Sequence, residues 1–181
     1  MGRYVITGGP CSGKTTLLGI LSGQDYCVVP ETAELIIKDQ LENGGDMVPS
    51  NPLRREEFQD VLMRRQLETE KAIIGDGLYI LDRALPDNVA YNLLDGNRPT
   101  ENLLDLSRSA DYDCVFFLEQ LPFYETSEVR KESYEDAKKL STLLRYVYNS
   151  LGYDVVDVSP MGSANDRAEF IVDTIKNKGL C

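Results

Sequence analysis

Gly8-Gly9-Pro10-Cys11-Ser12-Gly13-Lys14-Thr15 is the stretch on which the fold turns. It matches G-x-x-x-x-G-K-[ST] in full, and the pattern has a physical cause. Glycine lets the backbone turn successive N–H groups inward around an anion, where a side chain at Gly8 or Gly13 would interfere. A helix opening at Lys14 aims the positive end of its dipole at the same point. Lys14 can reach the outer phosphates of a nucleoside triphosphate, and Thr15 offers a hydroxyl to magnesium. Residues Gly8 to Thr16 (Thr16 included) are therefore the expected cradle for ATP or GTP with Mg. A chance match in a glycine-rich turn would lack the right flanks. Here the β-branched run Tyr4-Val5-Ile6-Thr7 precedes it, and Leu17, Leu18 and Leu21 mark the apolar face of a helix behind it.

Outward from that unit, strands and helices alternate. Expected strands are Tyr26 to Val29, Leu78 to Leu81, Cys114 to Leu118 and Val155 to Val158. Between them the spacing predicts helices over Glu31 to Leu41, Leu53 to Ile74, Pro86 to Leu94, Glu101 to Ala110, from Ser133 to Leu151, and after Ser163. Ser133 with Asp136 and Ser163 with Asp166 fit capping boxes. The alternation implies an α/β fold with a mainly parallel sheet and helices on both faces. No repeat or long linker divides the 181 residues, so a single domain over 1–181 is expected.

Composition excludes several classes. The net charge of −11 disfavours nucleic acid and anionic lipid as partners. No apolar run reaches the length of a membrane span, and no secretory signal is visible, which implies a cytoplasmic location. Cys11, Cys27, Cys114 and Cys181 are scattered, as in reduced and packed thiols. With no histidine in the chain, Ser-His and Cys-His nucleophiles are excluded.

Asp82 follows the apolar run Leu78 to Leu81, the position of a carboxylate near magnesium, although strand-end capping also explains an Asp there. Arg83 next to it adds a cationic fork in the crevice where open α/β sheets bind ligands. A guanine reader of the Asn-Lys-x-Asp kind is absent, since Asn177-Lys178 runs on into Gly179-Leu180. The Glu with which motor ATPases follow their Asp is replaced by Arg83. Both points favour transfer to a bound hydroxyl over hydrolysis.

Several segments together resemble one family. They are Val5 to Thr16, Val28-Val29-Pro30-Glu31, Phe58-Gln59 with Gln66 and Glu70, Leu81 to Asp87 with Ala90-Tyr91, Arg130-x-Glu132, and Gly152 to Ser163. The family is the P-loop AAA-type ATPase/kinase group that includes the ribosylnicotinamide kinase domain of the bacterial nicotinamide-nucleotide regulator. The N-terminal domain of the TRPL-translocation-defect protein is another member, and deoxynucleoside kinases are more distant relatives. The resemblance implies a P-loop NTPase three-layer sandwich with a five-stranded parallel sheet in the order 2-3-1-4-5. It also implies a kinase-like lid between the fourth strand and the following helix.

The resemblance further implies roles. Glu31 orients or deprotonates an acceptor hydroxyl; its alternative, an acid facing a helix dipole, stays open. Asp82 serves magnesium or the acceptor, Arg83 grips the acceptor or the transferred phosphoryl, and Arg130 closes over the triphosphate, with Lys131 beside it. Gln59 and Gln66, seven apart on one helix, read the acceptor, and Asp87 joins them. Lys14, Glu31, Asp82, Arg83 and Arg130 form the expected catalytic set, with Thr15 and Asp82 on the metal. The implied partner is a small-molecule hydroxyl acceptor, a nucleoside or cofactor precursor, bound by a monomer or homodimer. A nucleotide-dependent regulatory module with slow ATPase or GTPase activity is the alternative reading.

Overall fold

The structure, a computed structural model, describes residues 2–24, 26–121, 134–160 and 162–178. In chain order these form β1 (Gly2–Thr7), α1 (Lys14–Ser22), β2 (Cys27–Val29), α2 (Thr32–Glu42), α3 (Arg55–Lys71) and β3 (Leu78–Asp82). There follow α4 (Leu85–Leu94), α5 (Glu101–Ser109), β4 (Cys114–Leu118), α6 (Tyr134–Ser150), β5 (Val155–Val158) and α7 (Ala164–Asn177). All strand pairs are parallel, in the order β2-β3-β1-β4-β5. That is the order the resemblance implied.

Strand period puts alternate side chains on opposite faces. Tyr4 and Ile6 of β1, with Phe116 and Leu118 of β4, pack under α1 and α7 against Leu17, Leu21, Ile171 and Ile175. Val5, Leu81 and Val115 face the other way, toward Tyr148 of α6, and Phe117 meets Leu140 and Leu144 on the same side. Helices therefore cover both faces, the three-layer arrangement that buried parallel strands need.

Topology fixes where a ligand can enter. From β1 the chain moves to one side for β2 and β3, then crosses to the other for β4 and β5. The crevice beyond the carboxyl end of β1 is thus the switch point, and the glycine-rich loop follows β1 directly.

Helix α3 is shorter than expected. The Asn51 side chain accepts from the Leu53 N–H, and the turn it closes delays the helix to Arg55. Helix α7 opens as expected, with Ser163 Oγ accepting from Asp166 N and Asp166 accepting from Ser163 N. The Ser133 capping position, the lid segment, Arg130 and Lys131 lie outside the described residues. Of the thiols, Cys114 is buried, Cys11 half-buried and Cys27 exposed, so the expectation of uniformly packed cysteines does not hold for Cys27. Among the described residues no helix is long and apolar enough to cross a membrane.

Candidate active site

The loop between β1 and α1 has the geometry its glycines require. Gly8 has φ +150, and a Cβ there would lie 2.5 Å from the Leu118 carbonyl oxygen. Gly13 has φ +83, in the left-handed region that disfavours side chains, and caps α1. Lys14 Nζ folds back over the loop, donating to Gly8 O at 3.0 Å, Gly9 O at 3.2 Å and Ser12 Oγ at 3.4 Å. Burial, with Arg83 nearby, pulls its ammonium down to about 8, although Asp82, Glu31 and Asp87 pull the other way. Pro10, Cys11, Ser12, Gly13, Lys14, Thr15 and Thr16 line a cavity of about 510 Å³, together with Glu31, Asp82 and Arg83.

Asp82 ends β3 beside this cavity. Burial and the Glu31 charge push its carboxyl up to about 6, against the pull of Arg83 and Lys14. Its Oδ1 is buried with no hydrogen-bond partner among the described residues. A buried carboxylate oxygen without a donor is costly unless something cationic meets it. Magnesium would fit that requirement, with Thr15, which lines the same cavity, as a second oxygen donor. The ion takes few protein oxygens and completes its shell from phosphates and water. No cluster of three or more His, Cys, Asp or Glu that could hold a metal occurs among the described residues.

Arg83 follows in a left-handed conformation, φ 65, that costs a non-glycine residue about 1–2 kcal/mol. Such strain persists where surroundings over-determine it. Its N–H donates to Ile6 O at 3.1 Å. Its Nη1 reaches Asp87 Oδ1 at 3.0 Å, and its plane stands 5.5 Å from the Tyr91 ring centroid. Nε lies 3.2 Å from Glu31 Oε1, an ion pair whose angle misses hydrogen-bond geometry. Glu31 is the N-cap residue of α2, yet its side chain makes no cap hydrogen bond. Its carboxylate pairs with Arg83 instead.

A second cavity, of about 590 Å³, adjoins the first and shares Glu31, Glu34, Arg83 and Tyr91 with it. Phe58, Gln59 and Gln66 of α3 line its far wall, so the structure brings both expected glutamines to one place. Gln66 Nε2 donates to Glu70 Oε1 at 2.8 Å, which fixes its amide. Gln59 is 8% exposed and its Oε1 lacks a partner among the described residues.

Asp87 is placed differently from the expectation that it touches an acceptor. It is 1% exposed and lines neither cavity. Oδ1 accepts from Thr7 Oγ1 and Arg83 Nη1, and Oδ2 from Ala84 N and Tyr148 OH. It stands one layer behind the site and holds Arg83. Sequence reasoning passed over three further groups. Glu34 shares both cavities, and its spacing of three from Glu31 on α2 was the available signal. Asn88, 5% exposed, lines the second cavity with Nδ2 unpartnered among the described residues. Arg167, from α7, donates to the loop at Ser12 O, and no local pattern announces it.

Comparison with known proteins bears on the family and the fold. A family model described as AAA domain matches residues 3–167. No curated protein matches the sequence significantly. Among solved structures, the thymidylate kinase from Ehrlichia chaffeensis superposes with a TM-score of 0.65 at 13% identity, over 96% of this chain and 98% of that one. The deoxyadenosine kinase from M. mycoides, with bound dATP, gives 0.63 at 14% identity, over 97% and 100%. At such identities the likeness is one of fold.

Proposed function

The chain belongs to the AAA domain family, and from that premise we propose that it is a magnesium-dependent kinase of the cytosol. It transfers the terminal phosphoryl group of ATP or GTP to the hydroxyl of a small, nucleoside-like acceptor. The observation that carries this reading is the pair of adjoining cavities whose shared wall holds Glu31 and Arg83. The second cavity adjoins the cradle, where an acceptor for the terminal phosphoryl would have to sit.

Phosphoryl transfer asks for positioning and charge neutralisation. Lys14, already aimed across the loop, exchanges its carbonyl partners for the outer phosphates. Magnesium, held by Thr15 and Asp82, would neutralise charge on those phosphates. Glu31, at the junction, orients the acceptor hydroxyl and takes its proton as the new P–O bond forms and the bond from the terminal phosphorus to its bridging oxygen breaks, releasing the nucleoside diphosphate. Arg83, held by Asp87 and Glu31, would grip the acceptor or the transferred phosphoryl with its remaining edge. Gln59 supplies an amide to the acceptor's polar edge. Arg130 stays in the proposal as the lid cation. The resemblance to ribosylnicotinamide kinase domains supports a nucleoside-like acceptor, as does the structural neighbour named for deoxyadenosine; the one named for thymidylate, a nucleotide, supports the wider class of nucleoside derivatives.

The test is a panel of nucleosides, nucleotides and cofactor precursors incubated with MgATP or MgGTP and assayed for phosphorylated product. One acceptor class is expected to turn over, and Lys14→Ala is expected to abolish turnover while the fold survives. Tight nucleotide binding with no member of the panel phosphorylated would refute the kinase reading.

A further inference from the structure

Arg167 stands in the first turn of α7, buried at 5% exposure against the glycine-rich loop. Its Nη1 donates to the Ser12 carbonyl at 2.9 Å. The same nitrogen would be 2.9 Å from a Cβ built on Gly13, so the guanidinium packs directly against the loop's outer side. Nε and Nη2 are buried with no partner among the described residues. Burial lowers its pKa, and the Glu119 charge works against that shift.

A buried cation bonded to one carbonyl is a poor stabiliser by itself. The geometry gives it another use. A trans peptide is planar, so its C=O and N–H point in opposite directions. A Ser12 carbonyl held outward by Arg167 turns the Gly13 N–H of that peptide the other way, toward the cavity that Ser12 and Gly13 line. The preceding peptide is treated alike: Leu121 N donates to Cys11 O at 3.2 Å, which turns the Ser12 N–H inward. Two successive amides are thereby set as a nest, one by a backbone donor and the other by an arginine.

We infer that Arg167 is a positioning residue of the phosphate cradle, presetting the Gly13 N–H toward a bound polyphosphate and placing a positive charge behind the loop. This rests on the cradle half of the proposed function and needs nothing from the acceptor half. The substitution Arg167→Met removes both the brace and the charge with little change in bulk. Arg167→Lys keeps the charge and a donor, without the planar fork.

The experiment is calorimetric titration of each full-length protein with Mg plus ATP, and separately with Mg plus inorganic tripolyphosphate, alongside thermal unfolding without added ligand. Arg167→Met is expected to weaken both ligands alike by about tenfold to a hundredfold, the range for one hydrogen bond to a charged group. Arg167→Lys is expected to recover part of that loss. The unfolding midpoint of Arg167→Met should not fall, since an apolar side chain replaces a poorly paired buried charge. As control, Ile171→Ala on the same helix opens a core cavity, lowering the midpoint with affinity retained.

Unchanged affinity in Arg167→Met overturns the inference. So does a loss for ATP without a loss for tripolyphosphate, which would place Arg167 on the nucleoside half. If Arg167→Met does not fold, Arg167→Gln replaces it and is held to the same outcomes. Wild-type protein that binds neither ligand overturns the cradle itself, and the kinase proposal with it.

Discussion

Replacing Asp87 by Asn should cost far more than the exchange of one atom suggests. The carboxylate is 1% exposed and all four of its acceptor directions are used: Thr7 Oγ1 at 2.7 Å, Arg83 Nη1 at 3.0 Å, Ala84 N at 3.1 Å and Tyr148 OH at 2.5 Å. An amide offers one oxygen and one NH2. With the NH2 on the Thr7 side, the Thr7 hydroxyl can rotate to accept, but the Arg83 N–H cannot. With the NH2 on the other side, Tyr148 can rotate, but the Ala84 N–H that begins α4 cannot. Either orientation forces one fixed donor against another, and both lose the charge that balances Arg83. Breaking a buried pair in this way costs about 3–5 kcal/mol. At roughly 2–4 °C per kcal/mol for a chain of this length, the melting midpoint should fall by about 6–20 °C. Arg83, left with Glu31 as its carboxylate partner, should also lose its aim, lowering kcat/KM by about a hundredfold. Urea unfolding followed by circular dichroism, with m unchanged, measures the first effect, and the acceptor assay the second. An Asn variant within 1 kcal/mol of wild type, by the scale of an ordinary hydrogen bond, would refute the argument that this carboxylate holds the corner.

Two further outcomes follow from the same geometry. Asp82 has its folded-state pKa raised from 3.8 to about 6, so the folded protein binds the extra proton between those values. Its contribution to stability then falls as pH climbs through that window and is a penalty above it. Asp82→Asn should therefore raise unfolding stability at pH 7.5 by about 2 kcal/mol while abolishing transfer; equal stability at pH 7.5 and unchanged pH dependence would show the penalty absent. Gln59→Leu removes a buried unpartnered oxygen from the second cavity, so it should leave stability level or higher and nucleotide affinity unchanged, yet raise the acceptor KM about tenfold or more; steady-state kinetics with the acceptor varied decides it, and an unaltered KM removes Gln59 from recognition.

What the sequence announced divides along the distance over which a signal acts. Strands β4 and β5 were legible to the residue, because short β-branched and aromatic runs between polar segments have few other readings. The glycine-rich loop between β1 and α1 was legible because its eight adjacent residues carry the pattern themselves. The start of α3 was not, since a single Asn51 side chain decides it. Asp87 lies away from both cavities for a different reason. Motif resemblance places it near an acceptor, but Arg83 four residues earlier and the α4 N-terminus between them capture its carboxylate from one side. Tyr148, 61 residues away, closes the other. Arg167 reaches Ser12 across 155 residues, and only the α1–α7 packing brings the two together.

How the cations are balanced explains why so acidic a chain can still receive a polyphosphate. Arg83 is met by two carboxylates, Glu31 and Asp87, so its charge is largely spent and its contribution is geometric. Lys14 and Arg167 are met at the loop by carbonyl and hydroxyl oxygens, which satisfy hydrogen bonds without supplying a full counter-charge. Carboxylates act on them only from farther off, Asp82, Glu31 and Asp87 on Lys14 and Glu119 on Arg167, so positive charge stays concentrated around residues 8–14. A net charge of −11 acts over the rest of the surface and repels a long polyanion, which must lie along it. On the kinase proposal, a nucleoside triphosphate is short enough to lie within that local field, whereas a nucleic acid strand would extend beyond it.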